Sequence, residues 1–301
     1  MSRVWDQGAM RSVLAVIGDP VWHSLSPVIH NAALRTVGRR TQYLAHRVLA
    51  DDLAVAVKGM AALGYLGANV TAPHKEAVLT IADHCSARAR RAGAANVLAF
   101  KKSEILADNT DGEAFHRDLE QQMGFAVAGK RMLVIGAGGA ARSILAALSE
   151  AGLSEVTVAN RRPERAQQLM LDLQKAGALD GLTCTVVETT DLLTMRQKPF
   201  DLVVNTTPAG MDKPGNPLPW DWHGLPSDCL VVDLIYNPAE TVFLQNARQA
   251  GFATRNGLGM LIGQAALSWE IWFGVEAPEG VMWAAATRAL GIVTAKTGRS
   301  K

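Results

Sequence analysis

The chain has 301 residues, 49% of them hydrophobic and 19% charged, with a formal net charge of +2. That length suits about two domains, each able to bury a core, and the balanced charge leaves no electrostatic footprint for nucleic acid or a membrane surface. Cys85, Cys184 and Cys229 are widely spaced without a C-x-x-C pair, and the seven histidines lack metal-ligand spacing, so neither a disulfide framework nor a metal site is expected.

Taken in order, Val13–Ile17 reads as a short buried strand ended by Gly18-Asp19-Pro20. Ser26-Pro27 reads as an N-cap and first helical residue, opening a helix to about Arg35. Strands are expected over Gln42–Val48, Leu66–Thr71 and Ala94–Phe100, with a helix over Asp52–Leu63 and another over Glu113–Leu119. Arg88, Arg90 and Arg91 read as a solvated helical face. From about Gly129 to Asp233 the pattern becomes β-α-β-α-β, with later strands at Thr183–Val187, Phe200–Val204 and Cys229–Asp233. Such alternation implies a parallel sheet covered on both faces. Pro208–Pro226, with Pro214, Pro217 and Pro219, reads as an irregular connection, and Gly259–Phe273 as an apolar helix needing a neighbour from the first unit. The N-terminus has no apolar h-region before a cleavage site, and no stretch reaches the roughly 18 apolar residues of a membrane span. A cytoplasmic location is expected.

The stretch Arg131–Ile135, then Gly136-Ala137-Gly138-Gly139-Ala140-Ala141-Arg142, then Ile144–Leu148, is strand, glycine turn and helix. Gly136 suits the tight turn, Gly138 admits a pyrophosphate to the backbone, and the helix N-terminus supplies N–H donors to it. The next strand, Val156–Ala159, ends at Asn160-Arg161-Arg162-Pro163-Glu164-Arg165, with no carboxylate for a ribose 2′-hydroxyl. Asn160, Arg161, Arg162 and Arg165 fit a 2′-phosphate, hence NADP; the rival is a plain βα turn followed by an ordinary solvated helix start.

Three polar islands lie outside this unit. In His23-Ser24-Leu25-Ser26-Pro27 the two serines project to one side of an extended segment and can donate to one anionic or polyhydroxyl ligand, or Ser26 merely caps the helix. In Asn69-Val70-Thr71-Ala72-Pro73-His74-Lys75, Asn69 and Thr71 share a strand face and Lys75 follows the break. In Asp108-Asn109-Thr110-Asp111-Gly112, Asp111 is an N-cap or the partner of Lys75. A Lys–Asp pair suits alcohol–ketone chemistry: the ammonium gives a proton to the forming alkoxide and the carboxylate orients it. An adjacent carboxylate favours the ammonium form, which suits an acid in ketone reduction. His74 is expected to point elsewhere.

These islands, with Gly93-Ala94-Ala95-Asn96, Asn205-Thr206-Thr207-Pro208-Ala209-Gly210-Met211 and Gly257-Leu258-Gly259-Met260-Leu261, occur in an order that resembles the shikimate dehydrogenase family over nearly the whole chain. The resemblance implies an α/β substrate domain (1–113 and 257–301) beside a Rossmann-type, doubly wound NADP domain (114–256). It implies that Ser24 and Ser26 bind the substrate carboxylate, that Asn69, Thr71, Asn96 and Gln264 contact ring hydroxyls, and that Lys75 and Asp111 form the catalytic pair. Tyr236 would lie near the substrate or nicotinamide, Met211 and Gly257 would line the nicotinamide pocket, and Gly136, Ala137, Gly138, Gly139 and Ala140 would hold the pyrophosphate. The implied reaction is reversible NADP-dependent reduction of 3-dehydroshikimate to shikimate in chorismate biosynthesis, by a monomer or homodimer. Two positions depart from the pattern: Arg162 stands where threonine is usual, which opens NAD use, and Gly263 stands where bulkier residues are common, leaving room for a modified substrate such as quinate or an aminoshikimate. A nucleotide-sensing regulator without turnover is the rival of another class, and the Lys75–Asp111 pair argues against it.

Overall fold

The computed structural model describes residues 12–292 except 103, 196–199, 212–219 and 221. The first elements are β1 (Ser12–Gly18), α1 (Ser26–Thr36), β2 (Thr41–Arg47), α2 (Leu53–Ala62), β3 (Gly67–Val70), β4 (His84–Cys85), α3 (Ala87–Ala92), β5 (Val97–Lys101) and β6 (Glu104–Asp108). Then come α4 (Asp111–Met123), β7 (Arg131–Ile135), α5 (Gly139–Glu150), β8 (Glu155–Asn160), α6 (Pro163–Lys175), β9 (Thr183–Glu188), β10 (Leu202–Asn205) and β11 (Leu230–Asp233). The chain closes with α7 (Val242–Gln249), β12 (Ala253–Asn256), α8 (Leu258–Phe273) and α9 (Glu279–Ala289).

Two sheets result. The second has the order β12-β11-β10-β7-β8-β9 and every pairing in it is parallel. The order of strands in the chain reverses between β7 and β10, although both run parallel, which makes the crevice beyond their carboxyl ends the switch point where open α/β sheets bind ligands. Its inner strands β7, β8, β10 and β11 read as near-continuous apolar runs because both faces are covered there. Met132 and Val134 face the cluster under α5 and α6, while Leu133 and Ile135 alternate onto the cluster under α7.

The first sheet has the order β2-β1-β3-β5-β6-β4, and β5 alone runs against the others. Leu14 and Val16 pack with α1, α8 and α9; Ala15 and Ile17 pack on the opposite face with α2. The apolar helix α8 therefore finds its neighbour in the first unit, where Trp269 is buried and the Trp272 indole N–H donates to Leu98 O at 2.9 Å. The sequence pattern does not announce the β5–β6 hairpin, β4, β12 or α7. Within 208–226, residues 212–219 and 221 (Pro214, Pro217 and Pro219 among them) lie outside the described residues, as do 1–11 and 293–301.

Helix α4 packs against both α5 and α8, and the boundary expected after residue 113 falls inside it. A Cβ at Gly112 would overlap Ser143 O on α5, and one at Gly259 would overlap the Asp118 carboxylate, so close approach requires glycine at both. Asp118 is 7% exposed and takes two hydrogen bonds from Arg255 on β12, at 3.0 and 2.6 Å. Arg255→Ala leaves that carboxylate buried beside the start of α8, and the expected loss of stability is about 3 kcal/mol. Chemical denaturation checks it; a loss under about 1 kcal/mol, the scale of a surface ion pair, contradicts it.

Arg88 is not simply solvated. Its guanidinium holds both oxygens of Asp108 at 2.7 and 2.8 Å. Burial pushes the Asp108 carboxyl up, but Arg88 and the Ser86 hydroxyl outweigh it and hold it below its ordinary range.

Candidate active site

Four segments converge at one end of the first sheet because of its strand directions. β1 and β3 end there, delivering Ser24, Ser26 and the Thr71–Lys75 segment; β5, running the opposite way, begins there, just after Asn96; and β6 ends there, delivering Asn109–Asp111. The loops after β1 and β3 are tied by Asp19 N donating to Ala72 O at 3.0 Å. The segments enclose a cavity of about 210 Å³, lined by Ser24, Ser26, Asn69, Thr71, Lys75, Asn96, Asp111, Tyr236 and Gln264. All nine residues expected to form the catalytic pair or touch substrate meet in it. Val16, Val21, His23, Val70, Leu234, Met260 and Leu261 also line it, and none of them has an expected role there from the sequence.

The Lys75 ammonium donates to Asp111 Oδ2 at 2.6 Å, with the two side chains 17% and 6% exposed. Asp111 Oδ1 accepts from Asn96 Nδ2 at 2.8 Å, so both carboxylate oxygens have partners. The Asp111 amide donates to Asn109 Oδ1 at 3.2 Å, while Asn109 Nδ2 donates to Ala94 O and Ser143 Oγ, each at 2.8 Å. Asp111 is thus the first residue of α4 rather than its cap; Thr110 holds the cap position without a side-chain cap bond. Asn96 gives its other amide hydrogen to Thr110 Oγ1 at 2.9 Å and accepts from Thr110 N at 2.7 Å. With both hydrogens engaged, Asn96 is placed to fix Asp111 more than to donate to a ring hydroxyl.

Asn69 is engaged in the same way. It donates to Asn96 O at 3.2 Å and Ser268 Oγ at 2.9 Å, and its Oδ1 accepts from the Tyr43 phenol at 2.6 Å. Tyr43 and Ser268, like Asn109 and Thr110, shape the pocket from behind; Asn109 and Thr110 stand within a polar island of the sequence, whereas Tyr43 and Ser268 carry no local signal. Ser26 is also not a cap. It is the first residue of α1, Leu25 holds the cap position, and Ser24 Oγ accepts from Ser26 N at 3.3 Å. Both serines line the cavity instead. Burial pushes the Tyr236 phenol up, so it stays a neutral hydrogen-bond donor. His74, 1% exposed, turns away and its Nε2 lies 2.7 Å from Val48 O.

The glycine turn approaches this cavity from the second sheet. Gly136 has φ +113°, and a Cβ there would overlap Thr206 Oγ1 in the loop after β10, so the switch-point crevice stays open only with glycine. Gly138, the N-cap of α5, has no atom within 4 Å of where its Cβ would stand. Ala140 and Gly257 line the cavity itself, and Ala137 and Gly139 flank Gly138 in the same turn. A Cβ at Gly139 would lie 3.1 Å from the Lys75 side chain. At the end of β8, Asn160 Nδ2 donates to Arg162 O at 2.7 Å, and the Arg161, Arg162 and Arg165 side chains are exposed, without ion-pair partners among the described residues. This open backbone cradle, helix N-terminus and free guanidinium cluster fit a dinucleotide bearing a 2′-phosphate. Met211 sits half-buried in the turn after Pro208 and is not among the cavity-lining residues.

Gly263 does not enlarge the pocket. A Cβ there would lie 3.1 Å from Ala114 Cβ, so its small size serves the α4–α8 contact, while Gln264 faces the cavity. Successive helical residues point about 100° apart, which separates the two roles. The expected room for a modified substrate is therefore absent at this position.

Asp233, fully buried at the end of β11, accepts from Thr241 Oγ1 at 2.6 Å, Asn205 Nδ2 at 3.0 Å and Ile235 N at 3.1 Å. Asn205 in turn accepts from Thr207 N at 3.0 Å, shaping the loop beside Gly136. Burial outweighs the hydrogen bonds and raises the Asp233 carboxyl from 3.8 to about 6. Between those values the folded state holds more protons than the unfolded chain, so this group's contribution to stability falls as pH rises through that window. The scale is on the order of 3 kcal/mol. Asp233→Asn should flatten the stability-versus-pH curve between these pH values; an unchanged slope contradicts the assignment.

Among the described residues no group of three or more His, Cys, Asp or Glu is placed to hold a metal, and no helix is long and apolar enough to cross a membrane. The family described as Shikimate dehydrogenase substrate binding domain matches residues 16–98. Shikimate / quinate 5-dehydrogenase matches 118–207, and Shikimate 5'-dehydrogenase C-terminal domain matches 257–287. The shikimate dehydrogenase (NADP(+)) of Moorella thermoacetica is 44% identical over 289 residues, covering 94% of this chain and 95% of that protein. Shikimate 5-dehydrogenase from Thermus thermophilus, solved in complex with NADP(H) and shikimate, is similar with a TM-score of 0.79 at 35% identity, covering 93% of this chain and 100% of that one. Quinate dehydrogenase from Corynebacterium glutamicum, in complex with NAD, has a TM-score of 0.82 at 29% identity, covering 92% and 99%.

Proposed function

The chain belongs to the shikimate dehydrogenase family, and on that premise we propose that it catalyses the reversible NADP-dependent reduction of 3-dehydroshikimate to shikimate in chorismate biosynthesis. The observation that carries this reading is the buried Lys75–Asp111 pair in a cavity whose wall also includes Ala140 of the glycine turn. A substrate-sized pocket and a dinucleotide cradle thus share one boundary. NADPH, when bound, supplies the hydride for the ring carbonyl. Lys75 donates the proton to the carbonyl oxygen as negative charge develops there. Asp111 holds the ammonium in place through its Oδ2, and Asn96 fixes the other carboxylate oxygen.

Ser24 and Ser26, at the start of α1, donate to the substrate carboxylate with help from the helix N-terminus. Thr71 and Gln264 meet ring hydroxyls, with Asn69 and Asn96 at the wall, and Tyr236 offers its phenol at the nicotinamide side beside Gly257 and Met211. Residues 136–140 hold the pyrophosphate, while Asn160, Arg161, Arg162 and Arg165 hold the 2′-phosphate. Residues 1–113 with 257–301 form the substrate domain and 114–256 the NADP domain of a cytoplasmic enzyme.

Purified protein given shikimate and NADP should form NADPH. Ser24→Ala should raise the shikimate KM by about tenfold or more, the scale of a hydrogen bond to a charged group, with the NADP KM unchanged. A variant with unchanged shikimate KM overturns the placement of the carboxylate.

A further inference from the structure

Arg142, on the first turn of α5, is a cation without a role in proton transfer, yet its side chain is only 7% exposed. Its Nη2 donates to Asp172 Oδ2 on α6 at 3.0 Å and, in the other direction, to Glu76 Oε2 at 3.1 Å. Glu76 directly follows Lys75 in the loop after β3. A Cβ at Gly93, which has φ +59°, would stand 3.0 Å from Nη1, so the guanidinium also lies against the turn preceding Asn96. Gly139 and Arg142 are three residues apart on one helix face. Gly139 meets the Lys75 stem and Arg142 meets Glu76, so one helical turn contacts the lysine segment twice. The same turn presents the backbone N–H groups of the dinucleotide cradle.

We infer that Arg142 is a positioning residue that clamps the Lys75 segment to the cofactor-binding turn, so that the aim of the lysine depends on the seating of α5. Asp172 anchors the guanidinium within the second unit, and Glu76 is the half that crosses to the first. This rests on the reading of Lys75 as the proton donor. The half-exposed Glu76 lies outside the cavity wall, so its removal disturbs alignment and not the substrate contacts.

The test compares Glu76→Ala, Glu76→Gln and Asp172→Ala in steady-state kinetics with shikimate and NADP, together with amide hydrogen exchange over residues 71–77. Glu76→Ala should lower kcat about tenfold, the scale of a lost hydrogen bond to a charged group, with the shikimate KM within about twofold. Glu76→Gln, which keeps an acceptor for Arg142, should recover most of that loss. Asp172→Ala should leave kcat within about twofold of wild type. Exchange over 71–77 should quicken in Glu76→Ala alone. Equal loss of kcat in Asp172→Ala, or unchanged rate and exchange in Glu76→Ala, overturns the clamp. Should the wild-type protein fail to oxidise shikimate, the reading of the pocket falls, whereas the exchange comparison still decides whether the clamp exists.

Discussion

Lys75→Ala is expected to lower turnover of shikimate with NADP by about 10²–10⁴-fold, the range for loss of a positioned acid–base group. The loss should fall on kcat, because the proposed substrate contacts at Ser24, Ser26 and Gln264 and the glycine turn are untouched. Truncation also leaves the Asp111 carboxylate, 6% exposed, without its cation, so part of the effect comes from a carboxylate that no longer has a proton to direct. Asp111→Asn separates the two contributions. It keeps the shape and leaves Lys75 in place, but replaces a charged partner with a neutral amide, and its expected loss in kcat is smaller than that of Lys75→Ala. Near-wild-type kcat in both variants, with folding and NADP affinity intact, contradicts the acid–base assignment.

Gly136→Ala is expected to weaken NADP binding by about a hundredfold or more. At φ +113° an L-side chain is strained, a cost of about 1–3 kcal/mol. The added methyl overlaps Thr206 Oγ1, which donates to Ile135 O at 2.9 Å, and would lie 2.9 Å from Thr207 Cγ2. Either this loop shifts into the crevice or β7 and β10 separate at their ends, and both spoil the cradle. Strain and overlap together correspond to a loss of about a hundredfold or more in NADP affinity, readable by equilibrium titration. Shikimate binding, made by the other sheet, should change little. Wild-type NADP affinity in Gly136→Ala contradicts the cradle.

What is legible in the sequence is local or periodic. The strand, glycine turn and helix from Arg131 to Glu150 declare themselves because the turn's backbone demands are met by residues next to one another. The polar islands are legible as breaks at strand ends. The β5–β6 hairpin is not, because its left-handed turn residue is Lys102, φ 57°, where sequence rules look for glycine or asparagine. The edge strand β12 is Ala-Thr-Arg-Asn, too polar to show a buried alternation. Ser26 mimics a cap in the sequence, but the cap position falls on Leu25, which makes no side-chain cap bond. Gly263 misleads because a one-residue shift on a helix exchanges a pocket wall for a helix–helix contact. Tyr43 and Ser268 brace Asn69 from positions 26 and 199 residues away in sequence, a relation only the assembled sheets and helices reveal.

Arg162 bears on cofactor choice. An added guanidinium at the end of β8, with its side chain exposed, strengthens the local positive field that favours a 2′-phosphate. The measurement that bears most directly on the whole account is kcat/KM of the purified protein for shikimate and for quinate, each with NADP and with NAD. The highest value is expected for shikimate with NADP. A higher value for quinate, or for NAD with either substrate, contradicts it.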